Sequence, residues 1–549
     1  MVDTLDRARS LEQLGAATFD VLVIGGGVTG AGVALDAASR GLRTALVERD
    51  DFASGTSSKS SKLVHGGLRY LQNGDVRLVY EALRERQRLR HNAPHLVRLL
   101  PFLIPIFSKD GLINPKVARA LGSAMWMYDL TGGARIGKLH KRLKKAQAVA
   151  HMPTVPEERL AGAYLYYDAA ADDARLTLTL ARTAALDHGA VIANHTRVVQ
   201  LRHDAAGHVT GAVVEADGRR IEVAARSVVN ATGVWSDDIL ALDQGGSPDT
   251  IRPAKGIHIT VPWDKVRNDI AVVVPVPKDK RSVFVVPWLP LADGTFQLTY
   301  IGTTDTDYEG PVDDPQCTAE DVDYLLRAIN HSVREPLSAA DVVGTWAGLR
   351  PLVKAATSGR TADLSRRHKV LVSDSGVVSI MGGKLTTYRE MAEDTVDAIV
   401  RHLPDAPRSA KRCRTRRLVL RGGDGATKDT NPHLADRFGS EAREVLTLID
   451  TDPSLGEPLV EGLPYLRAEA LYAVRHEMAR TVDDILARRT RARLQARDAS
   501  AAAALAVARL IAPDLGWSAE EAERQAAAYV TLVEAERLAP SLPLTDLVP

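Results

Sequence analysis

The segment that most constrains how this chain folds is residues 19–48, FDVLVIGGGVTGAGVALDAASRGLRTALVE. A short apolar run ends abruptly in glycine, and Gly25, Gly27 and Gly30 then follow in the order G-x-G-x-x-G. An alanine-rich segment with helical spacing comes next, and a second apolar run leads to Glu48. Strand, tight turn, helix, strand and acid within about 30 residues predict a βαβ unit that binds a dinucleotide.

Each glycine of this unit has a physical role toward a dinucleotide. Gly25 permits the tight turn, Gly27 lets a pyrophosphate approach the backbone, and Gly30 lets the helix pack closely on the strand. The helix N-terminus offers unpaired N–H groups to the anion, and the Glu48 carboxylate can accept hydrogen bonds from a ribose diol. The cofactor contacts predicted here are Gly25, Gly27, Val28, Thr29, Gly30 and Glu48. This unit alone leaves NAD and FAD open.

Composition narrows the class of protein. The chain has 549 residues, enough for two to four domains at roughly 150 residues each. A net charge of +1 provides no overall field for nucleic acid, so no nucleic-acid partner is expected. The two cysteines, Cys317 and Cys413, fit a reducing compartment. The N-terminal sequence MVDTLDRARSLEQLG lacks the apolar core of a secretory signal, and no stretch reaches the ~20 apolar residues of a membrane span. We therefore expect a cytosolic protein or one on a membrane surface.

A polar loop, residues 52–74, follows the second strand at the end where such folds bind ligands. In the loop His65 supplies a titratable group, Arg69 a cation and Tyr70 a phenol. The cofactor contacts predicted in the loop are Ser57, Ser58, Ser61, Lys62, Gly66 and Gly67. An ordinary solvated loop is the alternative interpretation.

Residues 137–145, GKLHKRLKK, concentrate positive charge. One interpretation is a solvated helix face. The other is a contact for anionic lipid headgroups, worth about 1 kcal/mol per Lys or Arg near the surface. The charged members are Lys138, His140, Lys141, Arg142, Lys144 and Lys145.

The rest of the chain predicts further approaches to the cofactor and two other kinds of domain. Residues 94–107 are apolar, but their three prolines exclude a long helix. Residues 227–233, SVVNATG, indicate a strand that ends in small residues, and residues 251–310 are short runs typical of an antiparallel sheet. Residues 464–497 and 517–538 have helical spacing. The cofactor contacts predicted in these later segments are Val198, Ala231, Gly233, Gly382, Gly383, Lys384, Leu385 and Thr386. So many approaches favour a retained FAD over a nicotinamide cofactor that binds and leaves.

Together these stretches resemble the FAD-dependent glycerol-3-phosphate dehydrogenases, the aerobic respiratory family. The motifs that carry the likeness are VIGGGVTGAGVALDAASRGL with Glu48, TSSKSSKLVHGGLRYL, NATGVW, KGIHITVP, IGTTDTDY, GLRPL, GGKLTTYR and, in the tail, HEMARTVDDILARRTR. The resemblance implies FAD, hydride transfer from sn-glycerol 3-phosphate to flavin N5, dihydroxyacetone phosphate as product and a membrane quinone as acceptor. It also implies a homodimer, in the cytoplasm and peripheral on the inner face of the cell membrane.

The expected fold class is α/β, with a Rossmann-like FAD-binding fold, an antiparallel-sheet substrate domain and an all-helical C-terminal domain. The expected division is 1–92, 151–250 and 346–405 for the FAD-binding domain, 93–150 and 251–345 for the substrate domain and its cap segment, and 406–549 for the C-terminal domain.

The implied reaction requires three kinds of residue. A dianionic phosphate needs a planar, always-charged guanidinium, and the hydroxyl proton needs a base with a pKa near the operating pH. Negative charge on the reduced flavin needs a cation, for which Lys384 at a helix start is suited. The base is His65 or His258, and the sequence does not distinguish between the two. The candidates for binding substrate are Arg69, Tyr70, Thr303, Thr304, Arg350 and Arg366.

Several alternatives stay open at this point. Arg350 could bind the reacting oxygen instead of the phosphate, and Arg367 could replace Arg366. An oxidase of the same substrate that uses oxygen, a non-turnover flavin sensor at the membrane surface and a nicotinamide dehydrogenase are the competing functions. The nicotinamide enzyme leaves SSKLVHGG and GGKLTTYR unexplained.

Overall fold

The computed structural model describes residues 4–67, 76–108, 122, 125–126, 128–129, 137–277, 279, 281–354, 367–403, 405–425 and 430–545. Three predicted substrate residues, Arg69, Tyr70 and Arg366, lie outside the described residues. Among the described residues, none of the helices combines the length and the apolar character that a membrane span requires.

The helices with bounds in the described residues are α1 (Arg7–Ala16), α2 (Val28–Ser39), α3 (Val76–Asn92), α4 (Lys145–His151), α5 (Asp173–Leu186), α6 (Ser236–Gln244), α7 (Ala319–Asn330), α8 (Tyr388–His402), α9 (Pro432–Phe438), α10 (Ala442–Thr451), α11 (Arg467–Glu477), α12 (Ala492–Gln495), α13 (Arg497–Leu515) and α14 (Ala519–Leu538).

The strands are β1 (Thr18–Phe19), β2 (Val21–Ile24), β3 (Thr44–Val47), β4 (Leu63–Val64), β5 (Val97–Phe107), β6 (Lys141–Leu143), β7 (Leu160–Ala171), β8 (Val191–Ala193), β9 (Arg197–His203), β10 (Val209–Ala216), β11 (Arg219–Ala225), β12 (Val228–Asn230), β13 (Ile251–Pro262), β14 (Ala271–Pro275), β15 (Ser282–Pro290), β16 (Phe296–Gly302), β17 (Thr306–Asp307), β18 (Gly344–Val353), β19 (Lys369–Val372) and β20 (Val378–Met381).

A six-stranded sheet contains the predicted βαβ unit. Its strand order is β19-β20-β12-β2-β3-β8, and β2 pairs in parallel with both β3 and β12. Every residue of β2 and β3 is buried, which is typical of parallel strands covered on both faces. Helix α2 packs against α5 and α8. The Rossmann-like part of the fold is therefore confirmed.

A four-stranded sheet, in the order β1-β11-β10-β9, packs beside this core. Its hairpin turns at Asp217 and Gly218, which have φ angles of +50° and +70°. Two successive positive φ angles are the geometry of a tight type I′ hairpin turn. An Asp-Gly pair between two strand-like runs is the sequence signal for such a turn.

The antiparallel sheet is larger than the sequence suggested. It runs β17-β13-β16-β15-β14-β5-β7-β4, with β18 paired to β13 and β6 paired to β7. Strand β7 falls in 151–250, which we expected in the FAD-binding domain, but it pairs along its length with β5. Likewise β18 extends past the expected boundary at residue 345. Both expectations were wrong because the pairing partners lie far away in the sequence.

One local expectation agrees with the structure and one does not. The proline-containing stretch 94–107 forms the long strand β5, since prolines that exclude a helix are tolerated in this extended chain. The basic segment 137–145 does not form a helix face: it contains strand β6, and Lys145 begins α4.

The C-terminal part is helical, as expected, and has its own core of apolar residues from α9 to α14. It docks on the FAD-binding part through buried ion pairs. Asp51 accepts hydrogen bonds from Arg488 Nε at 2.7 Å and Arg489 Nη1 at 2.6 Å, and Arg175 of α5 pairs with Glu477. Removing one partner of such a pair leaves an uncompensated buried charge, so this interface is fixed in one geometry.

Candidate cofactor and substrate site

The carboxyl ends of the parallel strands open into a cavity of about 510 Å³. Residues from six separate stretches of the chain line it, and many of them are predicted cofactor contacts. The predicted contacts in the lining are Gly25, Gly27, Val28, Thr29, Glu48, Ser57, Val198, Ala231, Gly233, Gly382, Gly383, Lys384 and Leu385. The remaining lining includes Arg49, Thr196, Trp235, Asp238 and Pro351.

The turn between β2 and α2 requires glycine for two different reasons. Gly25 has a φ of +107°, in the region that L side chains rarely adopt, and an added Cβ would lie 2.7 Å from the Ala231 carbonyl oxygen. A Cβ added to Gly30 would lie 1.9 Å from the Gly25 carbonyl oxygen. Ser57 Oγ accepts a hydrogen bond from the Val28 N–H at 2.8 Å and thereby ties the polar loop to the helix start.

Glu48 is fixed at the mouth of the turn by backbone donors. Its two carboxylate oxygens accept hydrogen bonds from the Gly26 N–H at 2.5 Å and the Asp50 N–H at 2.9 Å. Burial raises the pKa of Glu48, although both hydrogen bonds act in the opposite direction. The carboxylate is half-buried in the cavity wall, which is the position from which it can accept from a ribose.

A second glycine turn closes the same cavity. Gly382 and Gly383 follow β20 with φ angles of +75° and +81°, and Lys384 then precedes a short helical turn that continues into α8. Two glycine turns, two helix starts and one carboxylate therefore line one space. Backbone donors at close approach with an acidic residue fit the pyrophosphate and ribose of a flavin dinucleotide. The residues that would hold FAD are the lining residues named above.

Arg350 directly precedes Pro351, which belongs to the cavity wall. Arg350 Nη1 donates to Asp305 Oδ1 at 3.0 Å, and Nη2 donates to the Thr304 carbonyl oxygen at 3.0 Å and to Thr303 Oγ1 at 3.3 Å. Its side chain keeps 24% exposure. The structure thus brings together Arg350 and Thr303, two of the candidates for binding substrate.

Thr304 has a different position from the one expected. It is buried, and its hydroxyl accepts a hydrogen bond from the Ile257 N–H at 3.1 Å. Its carbonyl oxygen, rather than its side chain, contacts Arg350. Arg367, the alternative to Arg366, is exposed just before β19.

His258 lies on β13, between β16 and β18 of the large sheet. It pairs with Gly302 of β16 and with Trp346 of β18, and its ring stacks on the Trp346 ring at 4.6 Å and 9°. Nε2 lies 2.9 Å from Ser61 Oγ, and among the described residues Nδ1 has no hydrogen-bond partner. Burial, followed by the charges of Lys62 and Arg350, lowers the pKa of His258 well below its usual value. The imidazole is therefore neutral.

His65 approaches the same region from the polar loop. It is half-buried, and its ring lies edge-on to Phe284 at 6.2 Å. Phe284 pairs with Gly302, the residue that also faces His258. The His65 N–H donates to Thr386 Oγ1 at 3.2 Å, which ties this loop to the second glycine turn.

Several predicted cofactor contacts lie elsewhere. In the described structure, the cavity lining does not include Gly30, Ser58, Ser61, Lys62, Gly66, Gly67 or Thr386. Lys62 Nζ instead lies 3.4 Å from Asp173 Oδ1, and Ser58 contributes its carbonyl oxygen to Lys62 at 3.3 Å. The Gly66 N–H donates hydrogen bonds to Tyr128 Oη and Asp168 Oδ1, both at 3.2 Å. The spacing of Ser and Lys in the loop did not indicate this burial.

The sequence analysis missed residues that complete the site. Arg49 lies over the Trp235 ring at 4.9 Å, and both line the cavity. Trp235 belongs to the NATGVW motif, so its position was available as a signal. Asp305, which orients Arg350, belongs to IGTTDTDY. The two residues meet because Ala254 of β13 pairs with Arg350 on one side and with Asp307 of β17 on the other.

Comparisons with known proteins agree with this site. The family described as "FAD dependent oxidoreductase" matches residues 20–389, and that described as "C-terminal domain of alpha-glycerophosphate oxidase" matches residues 413–522. The chain is 43% identical to "Glycerol-3-phosphate dehydrogenase" of Mycobacterium leprae over 98% of this chain and 92% of that protein. It is 38% identical to "Glycerol-3-phosphate dehydrogenase, mitochondrial" of Mus musculus over 91% of this chain and 71% of that protein.

Solved structures give the same result. The glycerol-3-phosphate dehydrogenase from Bacillus halodurans complexed with FAD superposes with a TM-score of 0.77 at 32% identity, over 97% of this chain and 98% of that chain. The L-alpha-glycerophosphate oxidase from Mycoplasma pneumoniae with FAD bound has a TM-score of 0.53 at 19% identity, over 70% of this chain and 95% of that chain, and shows a shared fold. With its cofactor cavity and nearly full-length relatives, this chain belongs to the FAD-dependent glycerol-3-phosphate dehydrogenase family.

Proposed function

We propose that this protein oxidises sn-glycerol 3-phosphate to dihydroxyacetone phosphate and delivers the electrons to a membrane quinone. The observation that carries the proposal is the position of Arg350. Arg350 precedes Pro351 of the cavity wall, and its half-buried guanidinium bonds Thr303, whose neighbour Gly302 faces His258. A permanently charged, planar donor beside a flavin site suits an anionic substrate, and the names of the relatives support glycerol 3-phosphate.

The chain's own residues have separate roles in the oxidation of substrate. When bound, FAD supplies the acceptor for the hydride of the substrate carbon. Arg350 is held by Asp305 and the Thr304 carbonyl, so its charge is oriented before substrate arrives. Gly256 leaves room for it, since an added Cβ would lie 2.6 Å from Arg350 Nη2. Lys384 places a positive charge in the cavity wall.

We assign the base to His65 rather than His258. A base must reach the hydroxyl that it deprotonates, and His65 is half-buried on a loop tied to Thr386. His258 is 2% exposed and bonded to Ser61, so it serves as a neutral neighbour of the site. His65→Gln should lower the rate of flavin reduction by about 10²- to 10⁴-fold and remove the pH dependence that its ionisation causes. A larger loss in His258→Gln would reverse the assignment.

The basic segment 137–145 supports a peripheral position on the inner face of the cell membrane. Lys138, Lys141, Arg142 and Lys144 are exposed, and the nearby Leu139 is 47% exposed. Cations beside an exposed apolar side chain match an anionic lipid surface. Replacing the four cations by alanine should weaken binding to phosphatidylglycerol vesicles and leave flavin reduction unchanged. Equal vesicle binding by this variant and the native protein would contradict the lipid contact. The homodimer stays a prediction.

One experiment tests the function. The purified protein should be yellow, and sn-glycerol 3-phosphate should bleach its flavin absorbance in the absence of oxygen. Rapid re-oxidation by a quinone analogue and slow re-oxidation by air would support a dehydrogenase, whereas rapid re-oxidation by air would support an oxidase. Persistent colour after substrate addition would contradict both and favour a non-turnover flavin sensor.

A further inference from the structure

Lys62 is a buried lysine outside the cofactor cavity. Its side chain is 5% exposed, and Nζ lies 3.4 Å and 3.5 Å from the two carboxylate oxygens of Asp173. Nζ also lies 4.5 Å from the centroid of the Trp346 ring. The ammonium is therefore held between a carboxylate at the start of α5 and an aromatic face on β18, which is a favourable cation–π geometry.

The C-terminal domain shares the same carboxylate. Arg491 Nη2 donates to Asp173 Oδ1 at 3.1 Å, and its Nε lies 3.8 Å from Asp172. Arg491 is 1% exposed and Asp173 is fully buried. Two cations, one from the polar loop and one from the helical domain, thus compensate the acidic start of α5.

The polar loop connects this buried cluster to the substrate site through three consecutive residues. Ser60 donates to Asp173 and accepts the Trp346 indole N–H at 3.1 Å. Ser61 Oγ bonds His258, and its carbonyl oxygen accepts from Tyr300 Oη at 3.0 Å. Lys62 contacts Asp173 and Trp346. Trp346 consequently has both the Lys62 ammonium and the His258 imidazole against its ring.

We propose that Lys62 and Arg491 are positioning residues for the oxidation of substrate. Through Asp173 and Trp346 they keep the His258 imidazole neutral and fixed beside Gly302 and Thr303, so the helical domain contributes to the site without touching substrate. The proposal rests on the proposed function for its catalytic consequence. Its effect on His258 is independent of any turnover.

The charges around His258 have the right signs for this effect. The cations that face it are Lys62 from the loop and Arg350 from the neighbouring strand, and both lower its pKa after burial. Among the residues that the structure describes, the other groups against it are uncharged: the Ser61 hydroxyl, the Trp346 ring and, at 6.3 Å between ring centroids, Tyr300. Burial and then the Arg491 charge lower the pKa of Lys62 to about 8, although the Asp173 carboxylate acts to raise it. Below about pH 8 the Lys62 ammonium is charged. Its charge therefore disfavours protonation of His258 throughout the pH range in which His258 would titrate.

The test compares Lys62→Met, Lys62→Arg and the control Lys59→Met in the FAD-loaded, full-length protein. Lys59 is in the same loop, but its side chain lines a separate cavity of about 820 Å³. Histidine-labelled protein, with the His258 signal assigned from His258→Gln, is titrated by NMR without substrate. In Lys62→Met the ring-nitrogen shifts of His258 should change and its pKa should rise by about one pH unit. Lys62→Arg and Lys59→Met should match the native protein.

Flavin reduction by sn-glycerol 3-phosphate provides the second readout. Lys62→Met should reduce flavin about tenfold more slowly at pH 7, Lys62→Arg should restore the native rate, and Arg491→Met should give a smaller loss in the same direction. If Lys62→Met does not retain flavin, Lys62→Gln is measured in its place, because glutamine removes the charge and keeps a hydrogen-bond donor. His258 shifts identical in the uncharged variant and the native protein overturn the proposal. Native protein that is not reduced by this substrate contradicts the proposed function instead.

Discussion

The two ends of the site are built in different ways. At the dinucleotide end, Gly25, Glu48 and Ser57 come from one continuous segment and act largely through backbone atoms and one carboxylate. At the proposed substrate end, Arg350 and His258 come from different strands, and their contacts are made by their side chains. The His65–Thr386 hydrogen bond, which joins the two ends, spans 321 positions in the sequence. The first end is therefore specified by local spacing, and the second only by the register of the large sheet.

This difference predicts that substitutions at the two ends fail in different ways. Changes at the dinucleotide end should alter how much FAD is retained, whereas changes at the substrate end should alter the rate of flavin reduction. The following variants are chosen to separate the two effects.

The largest effect is expected for Gly30→Ala. The added Cβ would lie 1.9 Å from the Gly25 carbonyl oxygen, a contact that only a backbone shift can relieve. The variant should be purified without flavin, as measured by the visible absorbance per protein after gel filtration. Gly15→Ala in α1 is the control, since its Cβ would meet a single flexible side-chain atom of Ile221 at 3.2 Å. A fully yellow Gly30→Ala protein would contradict the role of this turn.

Arg350→Ala should retain its flavin and lose about 10²- to 10³-fold in kcat/KM, the usual cost of removing one charge-stabilising donor. Arg350→Lys should recover little, because an ammonium cannot replace a planar bidentate donor. Arg252→Ala is the matched control, since Arg252 is on the neighbouring strand and pairs with Asp307. Unchanged kcat/KM in Arg350→Ala would remove this residue from the site.

Glu469→Gln should destabilise the C-terminal domain without affecting either end. Burial would raise the pKa of Glu469, but His433 at 2.7 Å and Arg437 at 2.9 Å outweigh it and lower the pKa to about 2 from 4.5. Because the folded-state pKa is the lower one, the stabilisation is complete above pH 4.5 and is lost as pH falls to about 2. The variant should lose about 3 kcal/mol of unfolding free energy at pH 7, measured by urea unfolding. A difference from the native protein that stays constant down to pH 3 would contradict this ionisation.

The smallest effect is expected for Glu48→Gln. The amide keeps one acceptor for the Gly26 N–H but loses the charge that strengthens a hydrogen bond to ribose. The dissociation constant for FAD should rise about tenfold, equivalent to about 1.4 kcal/mol, as measured by recovery of flavin binding in the apoprotein. With FAD saturating, kcat should be unchanged. A lower kcat under those conditions would show that the two ends are not separable.

The same contrast explains what the sequence could predict. The βαβ unit, the Asp217–Gly218 hairpin and the second glycine turn were predictable because each has a signal within a few consecutive residues. The membership of β7 and β18 in the large sheet was not, since their partners β5 and β13 are distant in the sequence. Pairing of that kind depends on tertiary contacts that no local pattern encodes.

The predicted cofactor contacts Lys62 and Ser58 lie outside the cavity lining for a common physical reason. Lys62 and Ser58 occur in a polar loop, and polarity alone suggested that they face a ligand. Their direction is decided by Asp173 and Arg491, buried charges that needed compensation inside the protein. Arg350, in contrast, was identified as a candidate from the GLRPL motif, and its guanidinium is only partly buried; its role toward substrate stays a prediction.

The strand order of the cofactor sheet has a consequence for synthesis of the chain. Strand β20 lies between β19 and β12, and the residues directly after it, Gly382 and Gly383, form one wall of the cavity. A ribosome makes the first βαβ unit long before these residues emerge, and domains fold as units during translation. FAD can therefore be captured only after about 400 residues have been made, and a chain arrested before β20 should emerge colourless however well its first 50 residues fold.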